Sequence, residues 1–367
     1  MSGNRNRTQR MPLLFFAVAA LLAGLWAGLR RLGWELPELR PGLMMAHGPL
    51  MVCGFLGTLI SLERAVALGR SWALFAPLAA GVGGVLGIAG VGGAAPAWLA
   101  LAASVLLFVM YLAFTAKQKA GSMVVMMAGS ALWLVGNVAW IAGRPLSEAT
   151  YWWIGFVVLT IMGERYGFSR MMGASRGSKW VFWLSNALIL LGIVAATLFR
   201  NYAVVVLGVG LILGDRWISR YDISRRTLKQ SGLPRYVALS IQSGGVWLGA
   251  AGMLMVVFRD VPAGPRYDAI VHAVFVGFAF SMIFGHAPLI FPSVLKVPLP
   301  YQPFFYVPLV LLHASLVHRV VSDLFNWSYG RKWGAILNAA AIVLFFASNV
   351  ASAVVSRRRA RKPPVSY

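Results

Sequence analysis

The chain has 367 residues, of which 59% are hydrophobic and only 12% charged, about half the charge of an ordinary soluble domain. That composition excludes a soluble globular protein and places the chain in a lipid bilayer. The formal net charge of +23 does not point to a nucleic-acid partner. The Lys and Arg residues stand at the ends of apolar runs and in short loops, where membrane orientation requires them and where they also favour anionic headgroups.

Residues 1–10 form a short basic tail. The apolar run 11–29 is nearly membrane-length and ends in GLWAGLRRLGW, without a small-x-small cleavage site, so it is expected as the first span rather than a leader. Further spans are expected near 42–62, 73–93, 97–115, 121–142, 149–168, 179–199, 201–222, 236–258, 267–290, 301–325 and 333–356. The runs are about 20 residues long and lack the ten-residue alternation of a barrel. The expected fold is therefore all-α: one polytopic transmembrane domain, a bundle of about twelve helices. With the N-terminus inside, 23 of the 33 Lys and Arg fall on the cytoplasmic side and 10 opposite. Both termini, including a basic tail at 357–367, are thus expected in the cytoplasm, and the protein in the cytoplasmic (inner) membrane.

His47 opens the second span. At 100° per residue Met51, Gly54 and Thr58 fall on its stripe, which predicts a face where a glycine admits a flat macrocycle and Met51 offers a second soft ligand. The bland alternative is a packing seam with one hydrogen-bonded histidine. Cys53 is the only cysteine, so disulfides, CxxC metal sites and thioether-linked haem are excluded within the chain. Gly81-Val-Gly-Gly-Val-Leu-Gly87 imitates a phosphate loop, but no strand precedes it and no lysine follows. Gly83xxxGly87 and Gly245xxxGly249 predict close helix packing instead. Trp152, Trp153, Trp327 and Tyr329 are expected in an interfacial belt.

Glu63–Arg64, Glu164–Arg165 and Asp215–Arg216 stand at the inner ends of even-numbered spans, in a weak repeat that His286 joins: IMGER, ILGDR and IFGHA, echoed by Leu62-Glu-Arg64. Adjacent residues do not face each other on a helix, so pairing between helices is expected, locking helix ends rather than carrying protons. His272 and His286 share the tenth span, almost on one face and roughly 21 Å apart along the axis. His313 and His318 occupy the eleventh, about 140° apart, so they serve different partners. Ionisable residues within spans usually face a cavity or a site. The topology puts His47, His272 and His318 in the outer half, His313 centrally, and His286 at the inner end. His47, His272, His313 and His318 are the candidate cofactor and metal ligands, with Met51 and Gly54 beside them and His286 as a further candidate metal ligand.

Two of these stretches resemble the NnrS family of polytopic haem- and copper-containing membrane proteins associated with nitric oxide metabolism. They are His47-Gly-Pro-Leu-Met-Val-Cys-Gly-Phe55 and His272-Ala-Val-Phe-Val-Gly277. The resemblance implies that His47 and His272 bind haem or metal. The family's later GHTGR-like ending is here Gly285-His-Ala-Pro288. The haem–copper oxidases are a more distant comparison. Their HxxxY, HH and HxH patterns are missing, and the residue four after His272 is Val276, which disfavours an oxygen-reducing site.

The expectation is a protein holding haem b, with or without copper, in the outer half of the membrane. It binds, senses or reduces a small gas such as nitric oxide. Catalysis, as an oxidoreductase acting on nitric oxide, would need a membrane or periplasmic electron donor. The rivals are a proton-coupled transporter using intramembrane His, Glu and Asp, and a haem- or copper-handling assembly factor.

Overall fold

Lipid offers the backbone no hydrogen bonds, so each apolar segment satisfies its own N–H and C=O groups by coiling. The computed structural model, which describes residues 2–118, 120–170, 173, 175–197, 199–259, 261–295 and 299–360, shows twelve helices long and apolar enough to cross a membrane. They are α1 (Arg10–Arg31), α2 (Leu43–Leu68), α3 (Ser71–Ala89), α4 (Ala95–Lys117), α5 (Gly121–Ile141), α6 (Leu146–Arg170), α7 (Arg176–Ala195), α8 (Asn201–Tyr221), α9 (Gly232–Phe258), α10 (Pro265–Ile290), α11 (Pro303–Leu324) and α12 (Ser328–Val355). The described residues contain no strand. The end of the basic tail, 361–367, lies outside them. Twelve crossings return the chain to its starting side, so both termini share one face, here the terminal face. The opposite face is the distal one.

The helices outrun the apolar segments because their polar ends continue the coil. α12 starts five residues before the expected 333, and α9 four before the expected 236, with Pro234 in its first turn, where a missing N–H costs nothing.

Three spans are far more enclosed than most. The buried share of the apolar window is 78% in α10, 67% in α6 and 56% in α2, and these are every fourth helix. They form the axis of the bundle. The neighbours pack as antiparallel hairpins, α5 on α6, α7 on α8, α8 on α9 and α11 on α12. Three of the four glycines expected at close contacts make them. A Cβ on Gly83 would stand 3.2 Å from the Pro96 carbonyl oxygen, one on Gly245 3.0 Å from Ile218 and one on Gly249 2.7 Å from the Asp215 carboxylate, whereas Gly87 has only ordinary contacts.

The two histidine-bearing axial helices share an irregularity. Leu50–Gly57 in α2 and Ala273–Phe280 in α10 are π-helical, a rare geometry that clusters at functional sites. In each, a glycine without a Cβ admits a tryptophan from a neighbour: Gly57 meets Trp133, and Gly277 meets Trp247. In each, a hydroxyl then bonds the glycine carbonyl four residues back, Thr58 to Gly54 and Ser281 to Gly277.

Hydrogen bonds reaching i+5 advance the chain by less than 100° per residue, so stripes computed for an α-helix drift. Met51 stays beside His47, while Gly54 turns to Ala20 and Gly84. Trp153 also departs from expectation. It is 1% exposed and donates from Nε1 to Asn137 Oδ1 at 3.1 Å, so it belongs to the core, whereas Trp327 and Tyr329 stay exposed.

Candidate functional site

His47 and His272 come together at the distal end of the axis. Their ring centroids are 6.2 Å apart and their planes differ by 17°. Each ring is held through Nδ1. His47 Nδ1 bonds the Gly24 carbonyl on α1 at 2.7 Å, and His272 Nδ1 bonds the Asp268 carbonyl one turn back at 2.8 Å. In the neutral imidazole the Nδ1–H that donates to a carbonyl leaves Nε2 as the acceptor. Both Nε2 lone pairs are therefore available, on two rings that border one cavity.

Small residues on α1 make this docking possible. A Cβ on Gly28 would lie 2.8 Å from His47 Cε1, and one on Gly24 would lie 2.7 Å from Met51 Sδ. Gly24xxxGly28 is thus the seat of the first imidazole. It is a readable small-xxx-small signal that the sequence analysis passed over.

The cavity has a volume of about 390 Å³, within the range of small-ligand pockets. Met51, Trp153, Phe275 and Phe280 supply apolar wall, and Arg31, Arg319 and Arg331 supply positive charge. Asp268 holds the guanidiniums in place. Its Oδ2 accepts from Arg319 Nη2 at 2.8 Å and lies 3.7 Å from Arg331, and its Oδ1 is 3.3 Å from His272 Nδ1. Arg331 also pairs with the buried Asp323. Arg319 Nε is buried without a hydrogen bond. The sequence analysis missed Asp268, Arg319 and Arg331, although charges within or just beside an apolar span were a signal.

A stacked pair, Phe55 and Phe280 with centroids 5.7 Å apart, lies on the same two helices. Toward the terminal face a second, smaller cavity of about 80 Å³ is lined by Glu63, Glu164, His286 and Thr160 among apolar side chains. Here the repeat read in the sequence becomes a place, since α2, α6 and α10 each deliver their polar inner end to it. Arg64 Nη2 donates to Glu164 Oε1 at 2.5 Å and to Glu63 Oε1 at 2.6 Å. The first bond is the expected pairing between helices. The second joins sequence neighbours, because the long side chains bend back along the helix. Arg165 pairs bidentately with Asp222, at 3.0 and 2.7 Å, and its Nη1 lies 3.3 Å from His286 Nε2. The fourth member of the repeat, Asp215, stands apart, against Gly245 and Gly249 on α9.

The remaining histidines do not join the distal pair. His286 Nδ1 bonds the Met282 carbonyl at 2.7 Å and its Nε2 faces Arg165, so the ring serves the terminal cluster. His313 accepts from Trp247 Nε1 at Nδ1, 3.0 Å away, and His318 packs edge-on against Trp327. Neither borders the His47–His272 cavity. Gly54, turned toward α1 and α3, does not border it either. Among the described residues no group of three or more His, Cys, Asp or Glu side chains is placed to hold a metal ion. A pair of imidazoles is what the distal site offers.

A family model described as Domain of unknown function (DUF8744) matches residues 10–354. The chain belongs to that family. The match spans all twelve helices, so the axial core is part of the family's own domain. No curated protein matches the chain. The firm statement is thus a multi-pass membrane protein of this family.

Proposed function

We propose that this is a membrane haem protein in which His47 and His272 would hold one b-type haem. The supporting observation is the imidazole pair itself. Two rings 6.2 Å apart that border one cavity and each keep Nε2 in reserve are a donor set that would suit a b-type haem. Nδ1 anchoring to a carbonyl, with a carboxylate close by, is the support that fixes ligand orientation and raises basicity. Haem carries two carboxylates, and Arg31, Arg319 and Arg331 on the cavity wall are suited to receive them.

The bound group would supply one-electron chemistry. The protein's own part is to hold both rings, keep water from the metal with Met51, Phe275 and Phe280, and balance the carboxylates. Both imidazoles would be committed to holding the group. The pair therefore favours electron relay over ligation of nitric oxide, and it leaves copper without a ligand set among the described residues. The Lys and Arg asymmetry supports a site on the outer side of the cytoplasmic membrane.

The test is the absorption spectrum of the detergent-purified full chain, oxidised and dithionite-reduced, with iron and copper analysis on the same sample. The expected result is sharp reduced bands with stoichiometric iron, no stoichiometric copper, and no change under carbon monoxide. A carbon monoxide shift would keep the haem and replace electron relay by gas binding. A colourless sample that stays colourless and iron-free after haem is supplied would overturn the reading in favour of transport.

A further inference from the structure

The terminal cavity has chemistry that the haem reading does not use. Two carboxylates, Glu63 on α2 and Glu164 on α6, converge on one guanidinium, Arg64. The nearest other guanidinium, Arg165, is committed to Asp222 by two hydrogen bonds. From α10 the cluster meets His286, and from α4 it meets the fully buried Tyr111, whose hydroxyl has no hydrogen bond. From α1 the cavity receives Leu14, which carries no charge. Among the contacts of the described residues, the two carboxylates share the Arg64 guanidinium.

Two like charges set close together in an apolar cavity do not both ionise readily, and such pairs titrate as a unit that holds one proton. The site also has a route and a relay. Glu63 keeps 28% of its side chain exposed and Glu164 15%, so the pair is not sealed. The cavity has room for a few water molecules. Thr160 borders that cavity with its unpartnered Oγ1 turned toward Gly129 on α5, and the equally unpartnered hydroxyl of buried Tyr111 stands beside the two glutamates. A buried hydroxyl without a partner in a small polar-ended cavity is what an ordered water would satisfy.

We propose that Glu63, Glu164 and Arg64 form a proton-exchange site in which the two carboxylates hold one proton between them, loaded from the terminal face. The proton adds to a carboxylate oxygen as a water at the terminal face gives it up, and it leaves by the reverse transfer. No redox partner is needed. The site stands whether or not the distal cavity holds haem.

The test is infrared difference spectroscopy of the full chain in liposomes on stepping the pH, in H₂O and D₂O. The expected result is a carboxylic-acid carbonyl band, shifted by deuterium, of one proton per chain. The band should be lost completely in Glu63→Gln and again in Glu164→Gln, since one shared proton needs both. It should persist in Glu148→Gln, a half-buried carboxylate paired with exposed Arg144 at the distal end. If either Gln variant fails to reach the membrane, Glu63→Asp or Glu164→Asp should retain the band at a displaced frequency. A band unchanged in both Gln variants would overturn the proposal. So would no pH-dependent carboxyl band in the wild type, or its loss on adding sodium at fixed pH, which would mark a sodium site.

Discussion

The two ends of the bundle axis are built from the same three helices and treat their polar groups in opposite ways. At the distal end the two imidazoles are tied by Nδ1 and keep Nε2 unoccupied, and Arg319 Nε is left without a partner. At the terminal end the guanidiniums are spent on carboxylates, Arg64 on Glu63 and Glu164, Arg165 on Asp222. The imidazole there, His286, has both nitrogens engaged. A site for an external ligand keeps lone pairs in reserve. A site that locks helices, or passes a proton along bonds already made, uses them up. Burial alone does not decide which imidazole stays free, since the buried His272 keeps Nε2 in reserve while the half-buried His286 does not.

That contrast can be broken at either end. The largest effect is expected from His47→Ala or His272→Ala, each of which should abolish haem absorbance while the protein stays in the membrane, read as Soret absorbance per chain. Arg64→Met should come next. It leaves two half-buried carboxylates without their shared cation and should cost less than the roughly 3–5 kcal/mol of breaking a fully buried pair, measurable as a lower thermal midpoint in detergent with haem content per folded chain unchanged. Asp268→Asn should weaken haem retention about 10–100-fold, the usual consequence of losing a partner behind a ligand, measured by transfer of haem to an apo-globin. Gly28→Ala puts a methyl 2.8 Å from the His47 ring, and should cost about 1–3 kcal/mol by overpacking along with a shifted spectrum. Glu148→Gln should be nearly silent, below about 0.5 kcal/mol, because its partner Arg144 is 62% exposed.

Much of the architecture was open to reading because the bilayer enforces it. A run such as 121–142 must be a helix, and its end must be near where the charges begin. Among the histidines, His47 and His272 were legible as a pair because depth follows from span order, and depth is half of proximity. His313 and His318 show the other half. His318 had matching depth and His313 lay centrally, yet Trp247 claims His313 and Trp327 claims His318, and azimuth around the bundle is set by packing that no single-helix pattern records. The stripe His47, Met51, Gly54 failed part-way along for a local reason, since the π-helical turns after Pro49 change the angular step. Trp153 read as an interfacial residue because it sits near a span end, and only the Asn137 side chain, sixteen residues back on α5, explains why it is inside.

The charges at the distal end carry a consequence for biosynthesis. Arg319 and Asp323 lie in the last two turns of α11, and both are buried. Asp323 finds its cation, Arg331, only in the first turn of α12. Arg319 finds its anion, Asp268, back on α10. Placing an unpaired Arg or Asp in lipid costs up to about 2.5–3.5 kcal/mol. A nascent chain that stops after α11 can neutralise Arg319 but leaves Asp323 exposed to that penalty. The pairing therefore favours insertion of the final hairpin as a unit, and Arg331, Asn338 and Ile342 complete the wall of the histidine cavity only once α12 is in place.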